Sequence, residues 1–185
     1  MRTGRLMSAW ESRATSVTLF NPSRCEATPG SPVRAWVADW LDARPAVYAI
    51  RQEVFVEEQR LTNSVYDDPD DELSVHVLAA IDSQIVGVGR VTYLFDDAQI
   101  AWVAVRRPVR RHGVGQAIMR QLMRTSIDHG AAVISLNAQT HAHNFYQQLG
   151  FRPVGRRFHM GGIEHQHMVM DILEPRERPR PRNIK

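Results

Sequence analysis

The stretch from Val103 to Ile118 constrains the chain more than any other. An apolar strand runs there through a basic, glycine-punctuated turn into a helix, which demands a strand-to-helix corner whose main chain is left bare. Glycines at 113 and 115 let the backbone approach a ligand closely and adopt torsions that a Cβ resists. The free N–H groups at the start of the helix, with its dipole, favour anionic oxygens. Arg106, Arg107, Arg110 and Arg111 add positive charge around them. A pyrophosphate suits such a pocket. The spacing Arg110-x-x-Gly113-x-Gly115 is neither the triphosphate P-loop, which has a longer gap and a Gly-Lys-Ser/Thr ending, nor the dinucleotide fingerprint.

Around this corner the chain alternates strands and helices. Val33 to Ala38 reads as a strand, residues 39 to 44 as a turn, and Pro45 as the first turn of a helix. That helix buries Val47, Ile50, Val54 and Phe55 on one face and turns Arg51, Glu53 and Glu57 elsewhere. The acidic run from Asp67 to Glu72, broken by Pro69, reads as a loop. Two strands follow, Val75 to Ile81 and Ile85 to Leu94, then a third from Ile100 to Val105. After the corner, Val114, Ala117, Ile118 and Leu122 repeat at helical spacing up to a stop at Gly130. A short buried strand from Val133 to Leu136, a helix from His141 to Leu149 and a hairpin closed around Gly161 and Gly162 complete the order. This is an α/β pattern: a mixed, mostly antiparallel sheet with helices on both faces.

At 185 residues, 43% apolar and 23% charged, the chain has the balance of one globular domain with tails. The expected division is a flexible leader over 1–31, a folded domain over 32–173 and a basic tail over 174–185. The tail carries five basic and two acidic residues, so its net +3 equals the excess of the whole chain. The domain is then near neutral, which argues against nucleic acid as a partner. A single cysteine, Cys25, permits no internal disulfide. No apolar run reaches the roughly 18 residues of a membrane span, and Glu11 and Arg13 interrupt any signal-like stretch. The expected location is the cytoplasm, with no membrane partner.

The Arg110-x-x-Gly113-x-Gly115 turn resembles the signature of the GNAT N-acetyltransferases. Three further stretches are similar to the ElaA-like branch of that family: Ile50 to Gln59, Asn137 to Phe151 with its Asn-Phe-Tyr core, and Gly162 to Met168. Together they span about residues 40 to 172. The resemblance implies a sheet that splays open between the strand ending at Val105 and the strand ending near Asn137, with acetyl-CoA as co-substrate in the gap. It implies that the amides of Arg110, Arg111, His112, Gly113, Val114 and Gly115 hold the pyrophosphate. It also implies main-chain contacts from Val103 and Val105, where the family's strand carries a bulge, and contacts from Asn137, Asn144 and Tyr146.

An amine attacking a thioester needs a held donor, a deprotonated amine, a stabilised oxyanion and a proton for the departing thiolate. Tyr146 stands where the family commonly has the tyrosine that protonates the CoA sulfur, and a phenol of pKa near 10 stays protonated at neutral pH. Many members place a glutamate on the central strand, where this chain has Gln99 or Ile100. The search for a base therefore moves to Glu72, His76, Glu164 and His165, with His165 favoured as a wall or base of the acceptor site. The acidic loop can draw in a cationic amine. His141, His143, His159 and His167 show no metal-binding spacing, so no metal is expected.

The resulting reading is an acetyl-CoA-dependent N-acetyltransferase acting on a small-molecule amine or an exposed amino group. An acyl-homoserine-lactone synthase and a catalytically idle CoA-binding module are the alternatives, and the resemblance leaves a homodimer open.

Overall fold

The computed structural model describes residues 32–61 and 68–172, so the expected leader, the expected tail and Asp67 lie outside the described residues. Seven strands form one sheet in the order β1-β2-β3-β4-β5-β7-β6. They are β1 Val33–Ala38, β2 Val75–Ile81, β3 Gln84–Leu94, β4 Asp97–Val105, β5 Val133–Gln139, β6 Arg152–Met160 and β7 Ile163–Asp171. Only β4 and β5 run parallel among the paired neighbours. The helices are α1 Trp40–Arg51, α2 Val114–Asp128 and α3 His143–Gln148.

Strand alternation sends successive side chains to opposite faces of the sheet and so divides the core in two. Val77, Ala79 and Val91 pack with Ile118, Met119 and Leu122 of α2, whereas Leu78, Val88 and Ala104 pack with Ala43, Val47 and Ile50 of α1. The helices therefore cover opposite faces. Close approach of α2 needs Gly87 and Gly89 on β3. A Cβ on Gly87 would lie 2.8 Å from the Ile118 side chain, and one on Gly89 would lie 2.9 Å from it.

Two expectations along the first helix are corrected. Helix α1 begins at Trp40 rather than at Pro45, because the Asp39 carboxylate accepts from the Leu41 amide at 2.9 Å and caps it. Pro45 is tolerated inside the helix on an exposed stretch, although it offers the Leu41 carbonyl no amide partner. Beyond Arg51 the helix widens into a π-helical segment, Gln52–Glu58. That change of pitch alters which side chains face the sheet. Arg51, the last residue of α1, lies before that segment and is buried, only 1% exposed: four residues after Val47, it shares the apolar face rather than turning elsewhere as expected.

The splayed sheet is present. Strands β4 and β5 pair from Asp97 opposite Val133 to Ile100 opposite Leu136. Beyond that point β4 continues to Val105 and β5 to Gln139 with no further register between them. Strand β5 outruns its expected end at Leu136 because its other edge pairs with β7 as far as Gln139 opposite His165.

Candidate active site

The chain leaves β4 with the Arg106 amide donating to the Val86 carbonyl at 2.9 Å. Antiparallel strands direct alternate residues to the neighbour, so Val105 turns its amide and carbonyl away from β3 towards the split. The Val105 carbonyl does accept from outside the sheet, from Arg110 Nε at 2.9 Å. A 3-10 turn, Arg107–Val109, carries the chain round. Arg111 (φ +65°) and Gly113 (φ +82°) then take left-handed torsions that aim the corner into α2.

Gly113 caps α2 with no side-chain hydrogen bond, and nothing lies within 4 Å of where its Cβ would stand. The first intrahelical bond runs from the Ala117 amide to the Gly113 carbonyl at 2.9 Å. The amides of Val114, Gly115 and Gln116 thus precede it, unpartnered by helical geometry and at the positive end of the helix dipole. Bare amides beside open space suit phosphate oxygens.

The arginines divide into two pairs. Arg110 clasps Glu58 with two bonds of 2.6 Å, and Arg106 lies 3.3 Å from Glu53, so both tie the corner to the π-helical end of α1. The Arg110 hydrogen bond holds the Glu58 carboxyl below its ordinary pKa. Arg107 and Arg111 are exposed and stay at the rim, with His112, whose Nδ1 bonds the Arg110 carbonyl at 2.9 Å.

Across the split stands α3. Its Phe145 ring would touch a Cβ on Gly115 at 3.4 Å, which seats α3 directly against the mouth of α2. Tyr146 packs edge-on to Phe145 and Phe151, at centroid distances of 5.0 and 6.1 Å. Burial pushes its phenol up to about 12. Asn144 is exposed beside it, and Asn137 on β5 bonds His167 Nδ1 at 3.0 Å. The structure therefore brings Val105, Gly113, Gly115 and Tyr146 to one end of the molecule.

The candidate bases are dispersed. His165, 5% exposed, sits opposite Gln139, and its Nδ1 meets the Ile163 carbonyl at 2.8 Å. Gln139 in turn reaches Gln59 at 2.9 Å, and a Cβ on Gly161 would meet Leu61 at 2.6 Å. The β6–β7 hairpin thus closes over the end of the π-helical segment, with His165 paired to Gln139 beside it. Glu164 is bonded to Arg157 at 3.2 Å. Glu72 is exposed on the 3-10 turn Asp71–Leu73. It lines a pocket of about 370 Å³ with Trp40, Arg44, Tyr48, Asp68, Pro69 and Asp71, none of them donor-side residues. His76 is a core residue, stacked on Trp40 at 4.4 Å with Nε2 on the Asp71 carbonyl at 2.8 Å. Burial pushes its pKa below 6.5.

Sequence reasoning missed the arginine cluster beneath the acidic loop. The Asp71 carboxylate takes two bonds from Arg51, at 2.6 and 2.8 Å, and one from Arg90 at 2.6 Å. Arg90 also holds Asp68 at 2.9 Å and Asp70 at 3.5 Å, and the Trp102 indole donates to Asp68 at 2.7 Å. Desolvation works to raise the Asp71 and Asp68 pKa values, but the hydrogen bonds and the arginine charges outweigh it and lower both. Arg51 and Arg90 offset part of the loop's negative field, which was expected to attract an amine. The signal that could have found them is two arginines on otherwise apolar elements, Arg51 and Arg90, facing a run of aspartates.

The bulge expected on β4 near Val105 falls at Trp102 and Val103. Registers Val88↔Ala104 and Arg90↔Ala101 leave Trp102 and Val103 opposite the single residue Gly89. Among the described residues no group of three or more His, Cys, Asp or Glu side chains could hold a metal, and no helix is long and apolar enough to cross a membrane.

Comparison with known proteins follows the same outline. The model of the acetyltransferase (GNAT) domain matches residues 43–172. Protein ElaA of Escherichia coli (strain K12) is 33% identical over 137 residues, which cover 70% of this chain and 88% of that protein. The protein YyaT of Bacillus subtilis (strain 168) is 32% identical over 126 residues, covering 66% of this chain and 85% of its own. The crystal structure of Escherichia coli ElaA superposes with a TM-score of 0.69 over 76% of this chain and 100% of that one. A Bacillus subtilis acetyltransferase in complex with CoA, 16% identical, shares the fold with a TM-score of 0.59 over 77% of this chain and 100% of that one.

Proposed function

The chain belongs to the GNAT acetyltransferase family, and from that premise we propose that it transfers the acetyl group of acetyl-CoA to a primary amine by direct attack in a ternary complex. The observation that carries this reading is the uncapped start of α2. Its open amides lie beside a split sheet edge, with a partly buried tyrosine packed across the mouth. A fold neighbour binding CoA supports the choice of donor.

In this reading the amides from Arg111 to Gly115 hold the pyrophosphate, and those of Val103 and Val105 meet the thioester carbonyl. The amine nitrogen attacks the acetyl carbon, the C–S bond breaks, and the thiolate takes the Tyr146 proton. A phenol near 12 in the free protein remains protonated at every physiological pH, and a thiolate formed beside it supplies the driving force for transfer. His165 is the acceptor-side base, taking the amine's proton directly or through a water. Its Nδ1 bond to the Ile163 carbonyl directs the lone pair to Nε2. The substrate is an amine small or extended enough to enter between the β6–β7 hairpin and the π-helical segment.

The test is release of free thiol from acetyl-CoA against a panel of primary amines and amino-terminal peptides. Turnover with at least one acceptor, lost in H165Q, supports the proposal. Binding of acetyl-CoA with no turnover on any amine would leave a CoA-binding module instead.

A further inference from the structure

Trp102 is held in a conformation that bulky side chains rarely adopt. Its φ is +54°, in the left-handed region, at the first position of a bulge that two-for-one pairing against Gly89 defines. Bulges with a left-handed first residue ordinarily place glycine there. Here a tryptophan occupies it, and its surroundings restrain it on several sides. The indole N–H donates to Asp68 at 2.7 Å, the Arg51 guanidinium lies 4.8 Å over the ring, and Phe55 meets it edge-on at 5.0 Å. Persistent strain of this kind concentrates where function uses it.

The bulge decides which amides reach the split. Strand β3 directs Val86, Val88 and Arg90 towards β4, opposite Arg106, Ala104 and Ala101. Without the extra residue, Ala101, Val103 and Val105 would all point at β3, and Trp102 and Ala104 would face the gap. With it, Val103 and Val105 face the gap. The bulge therefore sets the parity of the strand edge that borders the split.

We propose that Trp102 is a positioning residue for the acetyl group: anchored by Asp68, Arg51 and Phe55, it holds the β4 bulge and so presents the Val103 and Val105 amides to the thioester carbonyl. The acidic loop acts on the site through this side chain. The proposal rests on the acetyltransferase reading above.

The probe is acetyl-CoA labelled with 13C at the thioester carbonyl, bound to the full chain. Its carbonyl stretch is read by isotope-edited infrared difference, and its affinity by calorimetry. The unchanged protein lowers the carbonyl frequency relative to free acetyl-CoA. W102V, whose branched side chain resists the left-handed torsion and loses the anchors, abolishes that shift while affinity changes by less than about threefold, because the α2 amides dominate binding. W102G, free to adopt the same torsion, retains more of the shift than W102V although it removes more packing. A role in packing alone gives the opposite order. Should W102V fail to fold, D68A, which removes the indole's acceptor, is compared with D68N, which keeps one. Loss in the first and retention in the second is the expected result. A wild-type band in W102V or D68A, or a larger loss in W102G than in W102V, overturns the proposal. An unshifted carbonyl on the unchanged protein overturns it while leaving donor binding intact. No binding at all overturns the function and this inference together.

Discussion

Replacing Asp71 by asparagine tests whether the cluster beneath the acidic loop holds the fold together. Asp71 is 2% exposed, and its carboxylate is the only anion bonded to Arg51 among the described residues. Removing one partner of a buried pair costs about 3–5 kcal/mol, because the remaining charge stays desolvated. Asparagine keeps one acceptor oxygen, and Arg90 keeps Asp68 and Asp70, so D71N belongs at the low end, about 3 kcal/mol. For a domain of this size that is about 10 °C in melting temperature. Thermal unfolding at pH 7, followed by circular dichroism in 0.15 M and 1 M salt, measures it. Buried pairs are screened little, so the difference should survive the salt. D128N, which breaks the exposed Arg124–Asp128 pair, is the control and should move the midpoint by less than about 2 °C. A D71N midpoint within about 3 °C of wild type, or a difference erased by salt, would refute the reasoning. Because the folded Asp71 pKa lies below its ordinary 3.8, its contribution is present above that value and is lost as pH falls through the folded one.

Two other expectations follow from the site. Y146F should lower kcat by about 10²-fold, the scale of general acid catalysis, while the acetyl-CoA dissociation constant changes little; equal turnover would remove Tyr146 from the chemistry. His76 is buried neutral with a pKa below 6.5, so the unfolded chain binds its proton first as pH falls. Its contribution is present above 6.5 and declines below it, and H76Q should flatten that limb of the stability profile measured by urea titration. An unchanged slope in H76Q would assign the limb to other groups.

Much of this was legible in the residues. The corner from Val103 to Ile118 announces itself because glycine and helix-start chemistry are local, whereas Tyr146 is singled out only by the family resemblance of Asn144-Phe-Tyr. The topology followed from alternation and helical period, which are also local. What escaped was set by distant partners. Arg51 was misplaced because its charge was weighed above its spacing: four residues after Val47, it lies on the buried face, and its partner Asp71 is 20 residues away in the chain. The aspartates of the loop read as solvated because nothing in their own stretch reveals Arg51 and Arg90 beneath them. The left-handed torsion of Trp102 was unreadable because a bulky side chain disfavours it. The Arg110 side chain, read as added charge around the turn, clasps Glu58 through a contact 52 residues away in the chain.

The account stands on the open start of α2 as the donor site, and calorimetric titration of the purified protein with acetyl-CoA tests that most directly. Gly113 leaves space for a side chain, so G113E places a carboxylate over the amides without a clash, at the modest cost of a left-handed non-glycine residue. The account predicts saturable one-to-one binding by the unchanged protein and a loss of at least about tenfold in affinity in G113E, whose thermal midpoint confirms that it folds. Equal affinity in the two proteins, or no binding by the unchanged one, would contradict it.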